Sequence, residues 1–198
     1  IVLAVLIGLS FAASRSWKLS FGVLAAFVLI GYFGMWADTM RTLAIITVAT
    51  LLSISIGVPI GIAMARSDRV QTIVTPILDI MQTMPAFVYL IPVVMLLGIG
   101  KVPGILAVLV YAIPPVIRLT NLGIRLVDTD VLEAAIAFGA TRRQRLLEVQ
   151  LPLALPTIMA GINQTIMMAL AMVVIASMIG VKGFCLLYTS DAADDLLC

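Results

Sequence analysis

The chain has 198 residues, 63% of them hydrophobic and only 11% charged, with a mean hydropathy of +1.21. A soluble domain has about a quarter of its residues charged, so here the lipid bilayer is the solvent. The net charge of +2 is too small for an electrostatic grip on nucleic acid, and with no His and only Cys185 and Cys198 there is no His/Cys metal cluster and no nucleophile–His dyad.

Crossing the hydrocarbon core takes about 20 apolar residues at about 1.5 Å each. The opening run Ile1–Ala13 is too short and reads as the remnant of a helix in a fragment. Complete spans are expected over Leu19–Ala37, Thr42–Ala65, Thr72–Leu97, Val102–Leu122 and Leu153–Ile179. Gly57, Pro59 and Gly61, then Pro76, Pro85 and Pro92, then Pro114 and Pro115 interrupt these spans. Each is either a kink needed for bundle packing or a marker of a pathway, because lipid tolerates a broken helix only where protein or a cavity satisfies the freed backbone.

Arg15, Lys18, Arg66, Arg69, Arg118, Arg125, Arg142, Arg143 and Arg145 sort to one side of this arrangement, and Arg41, Lys101 and Lys182 to the other. An excess of Lys and Arg marks the cytoplasmic face, so the polar stretch between Leu122 and Leu153 is expected inside the cell.

Within that stretch, Asp130-Val-Leu-Glu133 has the form of a capping box and predicts a short helix through Ala134, Ala135, Ile136 and Phe138, ended by Gly139. Thr141-Arg-Arg-Gln144 repeats the form and predicts a second short helix through Val149. Pro152 suits the first turn of the final span. The first of these helices lacks the Lys and Arg that anchor a helix to lipid headgroups, which favours a protein partner.

Glu133-Ala134-Ala135, then Gly139, then Val149 and Leu151-Pro152 resemble the EAA signature of ABC importer permeases, with Val149 in place of Ile. The segments Met64–Arg69, Asp79–Pro92, Ile117–Arg125 and Ala160–Ile166 are similar to the glycine betaine/proline betaine permeases of that superfamily. The resemblance implies an all-α, polytopic transmembrane bundle of the ABC importer permease (MetI-like) type in the cytoplasmic (inner) membrane. It also implies a cytoplasmic ABC ATPase docked on the EAA loop, an extracytoplasmic substrate-binding protein and a second permease copy. It divides the chain into membrane segments at 1–35, a permease core at 36–180 with its coupling loop at 123–152, and an atypical tail at 181–198. No cofactor or metal is implied. The sequence has no G-x-x-x-x-G-K-[ST] loop, so ATP hydrolysis is expected on another chain.

Polar or aromatic residues expected at membrane depth are the candidates for the cargo path: Asp79, Gln82, Thr83, Phe87, Tyr89, Asn163, Gln164 and Thr165. An aromatic face such as Phe87 or Tyr89 suits a quaternary ammonium. Arg66 or Arg69 is the expected partner of Asp79. Helix-to-helix hydrogen bonding is the plainer role for each of these polar groups. Alternative readings are an ABC permease for another small solute, such as an amino acid or choline, and a secondary transporter or channel, which predicts inverted repeats that are not evident here.

Overall fold

The structure, a computed structural model, describes residues 17–98 and 100–178. Every regular element among them is helical, as lipid requires of a chain that must satisfy its backbone internally. In order these are α1 (Trp17–Tyr32), α2 (Trp36–Arg66), α3 (Asp68–Thr83), α4 (Ala86–Leu97), α5 (Lys101–Arg125), α6 (Thr129–Ala137) and α7 (Arg142–Gln144). A π-helical turn over Arg145–Gln150 then leads into α8 (Leu151–Met178). The expected remnant at Ile1–Ala13 and tail at 181–198 lie outside the described residues.

Among the described residues, Trp36–Arg66, Val102–Arg125 and Arg142–Ser177 are long and apolar enough to cross a membrane, and α3 with α4 adds a fourth crossing if the bent pair counts as one. Half of the apolar window of α5 is buried, against a third for α2 and for the α7–α8 stretch, which makes α5 the central post. It packs against α2 on one side and α8 on the other. Small residues let the backbones close up. A Cβ on Gly61 would stand 2.6 Å from Thr120 Cβ and 2.8 Å from the carbonyl oxygen of Ile117, and one on Gly161 would stand 2.9 Å from Leu119 Cβ. Gly57 and Gly61, four residues apart, thus form a helix-contact face against α5. Further along the bundle, Ile45, Ile46 and Ala49 of α2, Ala107, Val108 and Ala112 of α5, and Ala169, Met172 and Val173 of α8 form the main apolar cluster.

Three sequence expectations change. The span Thr72–Leu97 is two helices bent by 93°. Pro85 forces Met84 out of the α region, and Met84 sits at φ −77°, ψ 135°. Pro85 then opens α4 at φ −59°, ψ 145°. The elbow is held by the Tyr89 hydroxyl, which donates to the Met81 carbonyl at 2.7 Å. Second, the expected span Leu19–Ala37 stops at Tyr32, and Ala37 and Arg41 already belong to α2. Arg41 is thus not in a loop, and its guanidinium pairs with Asp38 one turn earlier at 2.9 Å. Third, the second short loop helix does not stand alone. It begins at Arg142 and continues through the π turn into α8. Pro152 offers no N–H to the carbonyl of Glu148 and crowds it. The chain widens by one residue instead of breaking, and Leu151 N–H donates to Leu146 O, five residues back.

Candidate functional site

The loop element is built from its caps. Asp128, two residues ahead of the expected cap, begins α6, and its carboxylate accepts from the Asp130 N–H at 3.1 Å. The box expected between Asp130 and Glu133 is consequently not formed. The earlier cap adds half a turn of helix and leaves Asp130 in the first turn, where its charge still favours the helix N-terminus. At the other end, Gly139 has φ +80°. Its N–H donates to Ile136 O at 2.9 Å, and Ala140 N–H donates to Ala135 O at 3.0 Å. That pair of bonds is a Schellman motif, and it needs the left-handed conformation glycine supplies at this position. Thr141 then opens α7 with the expected reciprocal cap. Gln144 N–H donates to Thr141 Oγ1 at 3.4 Å, and Thr141 N–H donates to Gln144 Oε1 at 3.0 Å.

Of the motif residues, Glu133 and Ala134 are exposed in the second turn of α6 and Ala135 is half-buried. Gly139 forms the elbow, Val149 lies in the π turn, and Leu151 and Pro152 open α8. Leu146 is buried with Ile124, Ala154 and Ile158, which anchors the base of α8 to the end of α5. Helix α6 packs against the π turn yet has no buried residue. Its Val131 and Ile136, and the following Phe138, are exposed, Phe138 by 93%.

The residues expected along a path fall into two groups. Asp79, Gln82 and Thr83 lie on the exposed side of α3, and Phe87 and Tyr89 lie on α4 just past the elbow. Thr83 donates to Ile80 O at 3.0 Å, and the ring of Tyr89 lies 6.1 Å from that of Tyr111. Asn163 and Gln164 are exposed on α8, whereas Thr165 is fully buried with no hydrogen-bond partner for its hydroxyl. Helix α3 packs on α2 and α5, and α4 on α5 and α8, where Tyr89 meets the main apolar cluster, but among the described residues no hydrogen bond or ion pair joins the two groups.

Asp79 pairs with Arg118 of α5, not with Arg66 or Arg69. Arg118 lies within the span, as the expected limits Val102–Leu122 place it, two turns inside Arg125. Arg125 forms a second bridge to α3, donating to Asp68 at 2.6 Å and to the Met64 carbonyl at 3.0 Å. Sequence reasoning passed over Arg118, Asn121 and Arg125 as a group. The signal was present in the seven-residue spacing of the two arginines, which puts them on one face of α5.

Comparison with known proteins bears on the whole arrangement. Residues 57–190 match the family model for the binding-protein-dependent transport system inner membrane component. The chain is 58% identical over 160 residues to the glycine betaine/proline betaine transport system permease protein ProW of Escherichia coli (strain K12), covering 81% of this chain and 45% of that protein. It is 51% identical over 184 residues to the glycine betaine transport system permease protein OpuAB of Bacillus subtilis (strain 168), covering 91% of this chain and 65% of the relative. The chain thus spans from under half to about two thirds of the length of these curated relatives. Among solved structures, the MetNI methionine ABC transporter in inward-facing conformations, CY5 native crystal form, superimposes with a TM-score of 0.69 at 24% identity, covering 77% of this chain and 79% of that one. At that identity the likeness speaks for the fold. The family match runs from the second half of α2 past the end of α8 and takes in the central post and the entire loop. This chain therefore belongs to the binding-protein-dependent transport system inner membrane components, multi-pass proteins of the cytoplasmic membrane.

Proposed function

We propose that this chain is the permease subunit of an ATP-driven importer whose cargo is a small quaternary-ammonium osmolyte such as glycine betaine or proline betaine. The observation that carries the reading is α6, a helix capped at both ends with no buried residue, presenting Val131, Ile136 and Phe138 outward. An apolar helix of this kind fits a groove in a protein partner. In this reading the partner is a cytoplasmic ATPase, which the family of binding-protein-dependent transport components implies. Movement of the ATPase passes from α6 to the π turn packed on it and so into α8, and the bundle rocks between inward-open and outward-open states. Glu133, Ala134, Ala135, Gly139, Val149, Leu151 and Pro152 make up the coupling element in this reading. A second copy of the chain completes the pathway, and an extracytoplasmic binding protein delivers the cargo. The betaine cargo is supported by the names of the two relatives.

The test is uptake of radiolabelled glycine betaine into proteoliposomes holding the permease, its ATPase and its binding protein. ATP inside the vesicles, on the ATPase side, should drive accumulation. Gly139→Pro should abolish it while leaving membrane insertion intact, since proline cannot adopt φ +80°. Accumulation driven by an ion gradient without the ATPase would point instead to a secondary transporter.

A further inference from the structure

Helix α3 has three faces. Val70, Val74, Leu78 and Met81 point to the core alongside Met64 and Ile117. Ile73, Ile77 and Ile80 are exposed and apolar, as a lipid-facing stripe should be. Asp68, Gln71, Thr75, Asp79 and Gln82 recur at three- and four-residue steps and form a polar stripe along the remaining arc. Helix α5 answers with Tyr111, Arg118 and Arg125, spaced seven apart, and Asn121 between the arginines. The two helices run antiparallel, and the stripes meet in register: Asp68 with Arg125, Asp79 with Arg118, and, beyond the elbow, Tyr89 with Tyr111. Between the two ion pairs lies a cavity of about 230 Å³ lined by Gln71, Thr75, Arg118 and Asn121 among its polar residues.

The Asp79 and Arg118 side chains remain 54% and 42% exposed, although Arg118 sits within an apolar span about 10 Å from its cytoplasmic end at 1.5 Å per residue. Charged groups this exposed are costly against hydrocarbon, so this seam fronts water or a polar ligand. Asp79 accepts from one terminal guanidinium nitrogen of Arg118; Nε has no partner but is buried, which leaves the other terminal nitrogen as the donor a ligand can reach. The pair thus sets a spare cationic donor beside a carboxylate, an arrangement that matches a zwitterion with its charges in the opposite order. A carboxylate docks on the guanidinium by charge-assisted hydrogen bonds. A quaternary ammonium, which has no N–H to donate, needs only Coulombic contact with Asp79.

Resting on the permease reading above, we infer that the α3–α5 seam is a polar cargo route, and that Asp79, Arg118 and the adjoining cavity form a station for a small zwitterion. The cavity is smaller than pockets for drug-sized ligands, which begin at about 300 Å³, and so suits a compact solute.

The experiment uses the same reconstituted importer. Two double variants are compared with the parent: Asp79→Asn with Arg118→Gln, which removes both charges, and Asp79→Arg with Arg118→Asp, which keeps an ion pair but exchanges its ends. Both should lower glycine betaine uptake at least tenfold while retaining ATPase assembly and ATP hydrolysis. Recovery of parental uptake by the exchanged pair would overturn the station and make the pair a structural clip. Parental uptake by the neutral pair would overturn it as well. Absence of ATP-driven betaine uptake by the parent would instead overturn the permease reading itself. Should either variant fail to assemble, cysteine accessibility decides the matter in a background with Cys185 and Cys198 replaced by Ser. Thr75→Cys should react with a water-soluble thiol reagent and be protected by glycine betaine, whereas Ile77→Cys should stay unreactive. An unreactive or unprotected Thr75→Cys would sink the proposal.

Discussion

Single residues set how closely the helices approach and what the seam between them carries. Gly61 has no room for a methyl group, because the Ile117 carbonyl oxygen stands 2.8 Å from where its Cβ would be. Gly61→Ala should destabilise the bundle by about 1–3 kcal/mol, the usual cost of overpacking. Gly22→Ala, with nothing within 4 Å, should leave stability unchanged or slightly raised. Thermal unfolding in detergent compares the two, and equal losses would contradict the close contact. The partner of Asp79 shows how far residues can be read in isolation. Asp79 is a carboxylate expected at membrane depth, and the cost of such a charge in lipid is what makes a partner necessary. The sequence did not name Arg118, which is 39 residues away, because proximity along the chain favoured Arg66 and Arg69. Only the antiparallel packing of α3 on α5 makes the true pair neighbours.

At the scale of elements, the places where helices start and stop were the most legible, because caps and prolines act locally. Thr141 and Gln144 form the reciprocal cap their spacing predicts, and Gly139 ends α6 as expected. The N-terminal cap of α6 was misplaced by two residues because Asp128 and Asp130 are chemically equivalent candidates, and a propensity argument cannot choose between them. Asp128→Ala should therefore weaken α6 by about 1 kcal/mol, whereas Glu133→Ala, exposed in the second turn, should cost little. Amide hydrogen exchange over Thr129–Ala137 reads the difference, and a larger effect from Glu133→Ala would restore the originally expected box. The elbow between α3 and α4 was hidden by hydropathy, which averages over Pro85 and sees one apolar run. Tyr89→Phe removes the hydrogen bond to Met81 O that spans the elbow. It should lower stability by about 0.5–1.5 kcal/mol, measured by the same detergent unfolding, and no loss would mean that packing alone holds the bend.

For the whole molecule, composition alone fixes the solvent as lipid, and the helical bundle around α5 follows from the need to satisfy the backbone without water. Which helix is central was not legible, since α2, α5 and α8 are all long and apolar. The small residues that let α5 approach both neighbours at once decide it. Orientation rests on the arginines clustered around α6, and it determines whether the loop can meet a cytoplasmic ATPase at all. The most direct measurement of the account is therefore a single cysteine at Ala134, introduced with Cys185 and Cys198 replaced by Ser. In inside-out vesicles holding the reconstituted importer, Ala134→Cys should cross-link to the ATPase and lose its reactivity toward an impermeant thiol reagent when the ATPase is bound. Labelling of Ala134→Cys from the outside of intact cells, or reactivity indifferent to the ATPase, would contradict the claim that this loop is where the energy of ATP enters the membrane bundle.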